Sequence, residues 1–441
     1  MAYKDTRGWG YDLFVHWYLR TFNNNLMLRR KYVIGMENYP AKGESFFIVS
    51  NHQNSANDPL NIAFSLPTDR RLGFMVRADA FTWNATLAKL ISWLGLVPAF
   101  RAGWEGAEAL EKNFSSFSVV TDQIIAGIPI LVFPQGGHTQ GHYFEPLTTG
   151  TCRMAFHVAE ESNWEKEIKI VPMAHHYENF FTVRHDFVLF IGKPILLNDY
   201  KELYQNKPYT AMRRLRDAMY NSIHDMMLDE GEKDYEVKDF LRNSLVNDVV
   251  RKGRSIPLPE RLEADKQFIA QLLDSPDYNE IIALGKELQD KEKELGIDDY
   301  DTIYAESSKG SQIAKLAGSA LIDLILLPLW IISLWPGLLC YRLPLRMLKE
   351  DKMFANSYRL IVNVLALYPI TTILTAVLLG VFINWWVALA WFVLFIPICW
   401  FAWSQWLHVK KTIRRFKVLT NLDAIKELGG LRNKIKSFLN K

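Results

Sequence analysis

Apolar residues in the first half of the chain come in short runs rich in β-branched and aromatic side chains, at Phe46 to Ser50, Leu72 to Val76, Ile128 to Phe133, Ile168 to Pro172 and Phe187 to Ile191. Longer stretches of helical periodicity separate them. This alternation predicts an α/β fold, a mixed sheet flanked by helices, over residues 31–259. Residues 1–30 place Tyr11, Phe14, Tyr18 and Phe22 at helical spacing with Leu13 and Trp17 beside them. Such a stripe serves either as core packing or as an interfacial anchor, and the Trp and Tyr content with the following Arg29, Arg30 and Lys31 favours the anchor. Residues 260–310 predict two charged helices broken at Ser275 and Pro276, a solvated arm leading to a membrane region at 311–441.

Within that last region, Leu360 to Leu407 is a run of 48 residues without Asp, Glu, Lys or Arg. At ~20 residues per span it makes two transmembrane helices, 360–380 and 385–407, around a turn near Gly380 to Trp386. A further apolar run, Leu316 to Tyr341, carries Asp323, Pro328 and Pro336, which interrupt the backbone ladder a lipid-exposed helix must complete. It is expected to be a re-entrant or interfacial segment, with a full span as the open alternative. Basic residues flank the hairpin at Arg342, Arg346, Lys349, Lys352 and Arg359 and again at Lys410, Lys411, Arg414, Arg415 and Lys417, so both its ends should be cytoplasmic.

Charge sharpens this division. The chain has 441 residues and a net charge of +3, but residues 1–259 hold 29 basic and 29 acidic side chains, residues 260–310 hold 6 and 14, and residues 311–441 hold 16 and 5. A basic excess confined to an apolar, Trp-rich segment points to anionic lipid and away from nucleic acid. Three scattered cysteines, Cys152, Cys340 and Cys399, exclude a disulfide framework and a zinc knuckle. The N-terminus has no uninterrupted apolar stretch of the signal-peptide kind, so the bulk of the chain is expected on the cytoplasmic side.

Polar clusters stand at the ends of the predicted strands, where α/β proteins place their chemistry. The first is SNHQNSANDPL at 50–60. A histidine just after a buried strand with an aspartate close behind suits a general base oriented by a carboxylate. Asp58 before Pro59 is equally a helix start, with Asp at the N-cap and Pro at N1. Three more clusters follow: GLVPAFR at 95–101, FPQGGHTQG at 133–141 and VPMAHHYEN at 171–179. His138 and His142 lie in a glycine-rich loop with no carboxylate or cysteine to complete a ligand set, so no metal is expected. His175 and His176 read as loop residues. Cys152 could be a nucleophile or a buried, inert thiol.

In kind and order, these four blocks resemble the glycerolipid acyltransferase superfamily, whose glycerol-3-phosphate and lysophosphatidic acid acyltransferases carry NHxxxxD, a Gly-to-Arg block, FPEGT and a VP block. The resemblance covers roughly residues 30–200. It implies that His52 is the base and Asp58 its partner, that Arg101 grips a phosphate, that Phe133, Pro134, Gln135, Gly136, Gly137 and His138 shape the acceptor pocket, and that Pro172 belongs to the acyl-donor side. Ester formation from a thioester needs one oriented histidine and a few oxyanion donors, which the backbone of Gly136 and Gly137 could supply. The chain departs from the pattern in three ways. Five residues rather than four separate His52 from Asp58, Gln135 replaces the motif's Glu, and His138 replaces its common Arg. Neither spacing stacks the two side chains on a regular helix, so a turn before the helix must bring them together.

The expected protein is a membrane-bound O-acyltransferase of phospholipid synthesis with its catalytic domain in the cytoplasm. It would use no cofactor beyond acyl-CoA or acyl carrier protein as co-substrate, would act on glycerol 3-phosphate or lysophosphatidic acid, and would have membrane lipid but no nucleic acid as partner. Two alternatives stay open: transfer to a non-phosphate hydroxyl lipid, and a catalytically weak lysolipid-binding membrane protein.

Overall fold

A computed structural model of the chain describes residues 8–78, 85–99, 108–139, 141–297, 301, 304, 307–348 and 354–440. It divides into two compact units, Met1–Asp229 and Glu230–Lys441, a boundary that falls earlier than the expected one at 259/260.

The first unit is built on an eight-stranded mixed sheet. Its strands are β1 (Leu28–Ile34), β2 (Ser45–Ser50), β3 (Gly73–Arg77), β4 (Leu96–Ala99), β5 (Ile130–Val132), β6 (Ile168–Tyr177), β7 (His185–Ile191) and β8 (Ile195–Leu196). Their order is β1-β7-β6-β2-β5-β3-β4, with β8 also on β6, and all pairs are parallel except β6 with β7 and with β8. Strand β2 is central and buried on both faces, which is why it reads as an unbroken apolar run. Phe47 and Val49 join a core with Ile130, Ile170, Phe156 and the helix Pro208–Met226, while Phe46 and Ile48 face an opposite core with Ile62, Val171, Phe187 and Leu189.

All five expected strands form; β1, β4 and β8 were not foreseen as strands. Strand β1 contains the basic trio assigned to a lipid surface, and the structure gives two of its members other partners. Arg29 donates to Asp186 Oδ1 and to Glu178 Oε2, both at 2.8 Å, and Lys31 donates to the Phe64 carbonyl at 2.6 Å. Burial, with Arg20 adding to it, lowers Lys31 to about 8. The preceding helical stretch, 9–27, winds largely as π-helix and turns two faces outward and inward. Tyr11 and Val15 are buried against Phe64, while Trp9, Leu13 and Trp17 stay exposed at 82%, 50% and 64%.

In the second unit, the two charged helices lie at Leu258–Asp274 and Tyr278–Leu295, broken where Ser275 and Pro276 stand. They do not form a solvated arm. Leu262, Phe268, Leu272, Ile281 and Leu288 are buried together with Leu241 and Leu245 of helix Tyr235–Val249 and Leu428 and Ile435 of helix Leu422–Leu439. Gly285 permits the approach, because a Cβ there would stand 2.8 Å from a Leu241 methyl. At one edge the buried Arg242 guanidinium is bonded by Glu230 and Asp239 and lies 3.4 Å from Asp265.

Three helices among the described residues are long and apolar enough to cross a membrane: Lys309–Arg346, Ala355–Phe382 and Trp385–Thr420. The first is 38 residues long and departs from helical angles at Trp335. One of the features that argued against a lipid-embedded helix there, the Asp323 carboxylate, is met by neighbouring side chains, as is a third proline further along, Pro344. Asp323 accepts from Gln405 Nε2 and meets His408 Nδ1, both at 2.7 Å, and accepts from Thr412 Oγ1 at 2.6 Å. Pro344 cannot donate to the Cys340 carbonyl, and Asn363 Nδ2 donates to that oxygen instead, at 2.8 Å.

Removing the cation from the buried network should be costly, since two of the carboxylates around Arg242 are buried. Arg242→Ala is expected to destabilise the second unit by about 3–5 kcal/mol. Thermal melts of detergent-solubilised protein check this, and an unchanged melting temperature would show that the network contributes nothing.

Candidate active site

Strands β6, β2 and β5 are neighbours with parallel direction, so the segments leaving their C-terminal ends emerge side by side. Three of the four sequence blocks meet there. After Ser50 the chain makes a loop through 51–56, with Ser55 at φ +48, and enters the helix Asn57–Ala63. That left-handed residue falls within the five residues between His52 and Asp58. The two side chains meet before the helix, as the spacing required: His52 Nδ1 lies 2.7 Å from Asp58 Oδ2.

Asp58 does not serve as N-cap. It sits inside the helix, and its carboxylate points back into the loop, where Oδ2 accepts from the backbone N–H groups of Gln53 at 2.7 Å and Asn54 at 2.8 Å. The other oxygen, Oδ1, accepts from the Tyr177 hydroxyl at 2.8 Å and lies 3.1 Å from His175 Nε2. The group is fully buried. Burial alone would raise its pKa, but the charge and hydrogen bond of His175, and then those of His52, outweigh burial and hold the carboxyl well below the usual range. An ionised carboxylate only accepts, so His52 Nδ1 carries the proton and Nε2 is the basic nitrogen. The His52 side chain is 18% exposed, on the side away from the buried Asp58 carboxylate that holds Nδ1.

The block after β5 forms the other wall. The Phe133 ring stacks on the His52 imidazole at 4.0 Å and 12°. Gln135 Oε1 accepts from the His52 backbone N–H at 2.7 Å, and the Thr139 N–H donates to the His52 carbonyl at 3.1 Å, tying this loop to the histidine on both sides. Pro134 is buried, with its carbonyl accepting from the N–H and hydroxyl of Thr148, both at 2.9 Å. Gly136 takes φ +76, a conformation that suits glycine, and its N–H closes a turn onto the Phe133 carbonyl at 3.3 Å. The Gly137 N–H, by contrast, has no backbone acceptor among the described residues. His138 is half-buried, its ring centre 5.2 Å from that of His52.

Other expectations resolve differently. Arg101 lies outside the described residues. Pro172 sits within β6 in register with Val49, and its carbonyl accepts from the Gly192 N–H at 2.8 Å. Further along the same strand, His175 and Tyr177 are buried and reach the Asp58 carboxylate. His175 and His176, read from the sequence as loop residues, lie inside β6; the alternate spacing of His175 and Tyr177, both of which meet the buried Asp58, was the available signal. His142 stacks with His176 and Phe180, ring centres 4.5 and 4.6 Å away. Cys152 is buried in the helix Gly150–Glu161, and burial pushes its thiol up to about 12, the inert state rather than the nucleophilic one.

The arrangement can take a proton at Nε2, stabilise the resulting imidazolium through Asp58, and leave the attacking group beside a glycine loop. Residues 30–176 match the family model described as Acyltransferase. No curated protein matches the chain. Among solved structures, the chain is similar to the crystal structure of the 1-acyl-sn-glycerophosphate (LPA) acyltransferase, PlsC, from Thermotoga maritima, with 16% identity, 43% of this chain and 72% of that chain covered, and a TM-score of 0.29. The segment that holds His52, Asp58 and the Gln135 loop lies within the residues that match this Acyltransferase family model.

Proposed function

We propose that the chain is an integral membrane enzyme that moves a fatty acyl group from acyl-CoA or acyl carrier protein to the hydroxyl of glycerol 3-phosphate or lysophosphatidic acid. The observation that carries this reading is the His52–Asp58 pair, with its imidazole partly exposed and its carboxylate held ionised. His52 Nε2 takes the hydroxyl proton as that oxygen attacks the thioester carbonyl. The tetrahedral oxyanion rests against the Gly137 N–H, and its collapse expels the thiolate, which recovers the proton from the imidazolium. Alcohol and thioester thus become ester and thiol without a covalent enzyme intermediate.

A second acceptor class, a lipid hydroxyl without phosphate, is favoured by one feature. Gln135 and His138 put no permanent charge beside His52, where the resembling motif has Glu and Arg. A panel of acceptors incubated with radiolabelled acyl-CoA separates the two by which becomes labelled. The exposed Trp9, Leu13 and Trp17 support an interfacial role for the N-terminal helix. The basic residues at both ends of the Leu360 to Leu407 hairpin support cytosolic placement of those ends, and the cytosolic acyl donors support the same placement for the catalytic domain.

His52→Ala is expected to slow transfer by ~10²- to 10⁴-fold while leaving folding and membrane insertion intact, read as single-turnover rates and melting temperature. Asp58→Asn should lose activity too. Arg101→Ala is expected to raise KM for a phosphorylated acceptor roughly ten- to hundredfold, and for the acyl donor far less; equal effects on both would remove the phosphate-clamp role. Single cysteines at Ser307 and Asn356 in a cysteine-free background should be labelled from the same side by an impermeant maleimide. Labelling from opposite sides would make Lys309–Arg346 a full span.

A further inference from the structure

The Asp58 carboxylate is the end of a longer hydrogen-bonded chain. Asn23, in the π-wound turn Asn23–Met27 of the N-terminal helix, donates from Nδ2 to Asn61 Oδ1 at 2.7 Å. Asn61 Nδ2 donates to the Tyr177 hydroxyl oxygen at 3.0 Å, and Tyr177 donates to Asp58 Oδ1 at 2.8 Å. All four side chains are buried, at 0–2% exposure. The sense of donation has no freedom. Asp58 can only accept, so the one Tyr177 proton must point at it; the Tyr177 oxygen must then receive from Asn61, which fixes that amide with its oxygen toward Asn23. We propose that Tyr177 is a positioning residue that sets the orientation and charge of Asp58, and that Asn61 and Asn23 hold it there, so that the N-terminal helix forms part of the apparatus orienting the base. The kinetic part of this inference rests on the acyl-transfer reading; its structural part does not.

Other ionisable groups meet the pair, namely His175 at Asp58 Oδ1 and His138 beside the His52 ring. His175 lies on the same oxygen as the Tyr177 hydroxyl, Oδ1, at 3.1 Å against 2.8 Å, while the backbone N–H groups of Gln53 and Asn54 take Oδ2.

Tyr177→Phe removes one oxygen and keeps the ring in its contacts with Phe180 and Phe187. Two quantities are measured on the full-length protein in lipid nanodiscs. The first is kcat and KM for acyl transfer. The second, which needs no substrate, is the pH titration of the His52 ring in protein labelled at histidine Cε1, its signal assigned by loss in His52→Ala. Losing the donor should lower kcat about 10- to 100-fold with KM little changed. Negative charge returned to the carboxylate should hold the imidazolium more tightly, moving the His52 midpoint up by about 0.5–1 pH unit. Asn61→Asp, nearly isosteric, turns the amide donor into an acceptor that competes for the Tyr177 proton, and should match or exceed the Tyr177→Phe loss. Asn23→Ala should cause a smaller loss that vanishes in the Tyr177→Phe background. A Tyr177→Phe protein with unchanged kcat and unchanged titration would overturn the proposal, even if its melting temperature fell. Additive losses for Asn23 and Tyr177 would overturn the chain. A wild-type protein that acylates no acceptor, yet shows the shift in Tyr177→Phe, would overturn the acyl-transfer reading and leave the positioning chain standing.

Discussion

A carboxylate taken entirely out of water must be repaid with hydrogen bonds from protein, and Asp58 organises its surroundings through that requirement. Two of its donors are backbone N–H groups, which can reach it only if residues 52–54 curl around it; the loop conformation and the ionised state of Asp58 are therefore the same fact stated twice. Besides His52, the side chains that meet it come from strand β6, so the sheet register that sets Ser50 beside Met173 also sets the distance from the base's partner to its supports. A slip of one residue would turn His175 and Tyr177 to the opposite face.

Much of this was legible in the sequence because it was written in local patterns. The histidine at a strand end, the following aspartate and the need for a turn between them follow from spacing alone, and the loop with Ser55 at φ +48 meets that need. What escaped notice was long-range. Tyr177, Asn61 and Asn23 are spread over the chain, and nothing near any of them announces the others. Asp58 next to Pro59 carries a strong helix-start signal, and the tertiary partner outcompeted the capping role that the local pattern favours. Strand β1 was hidden for a related reason: Arg29 and Lys31 look like a surface cluster until Asp186, Glu178 and the Phe64 carbonyl are brought to them.

The apolar third shows the same contrast. Its helices are readable from length and composition, because a bilayer leaves few solutions to the backbone hydrogen-bond problem. The polar residues within them are not readable one at a time. Asp323 looks prohibitive in an isolated segment and ordinary beside Gln405, His408 and Thr412. A proline's cost likewise depends on whether another helix can take over the carbonyl it strands, as Asn363 does for Cys340.

The parallel pairing of β1 with β7 imposes an order in time. Arg29 and Asp186 are 157 residues apart, so a ribosome adding 5–20 residues per second holds β1 without its neighbour for roughly 8–30 s. During that interval the strand is an open edge, the form most prone to pairing with the wrong chain. The N-terminal helix just ahead of it meets Phe64 far sooner, and so docks while the edge behind it is still vacant. The half-built domain therefore passes through a stage in which its first helix is in place and its first strand is not, and a nascent chain of this design depends on whatever shields that strand until β7 leaves the exit tunnel.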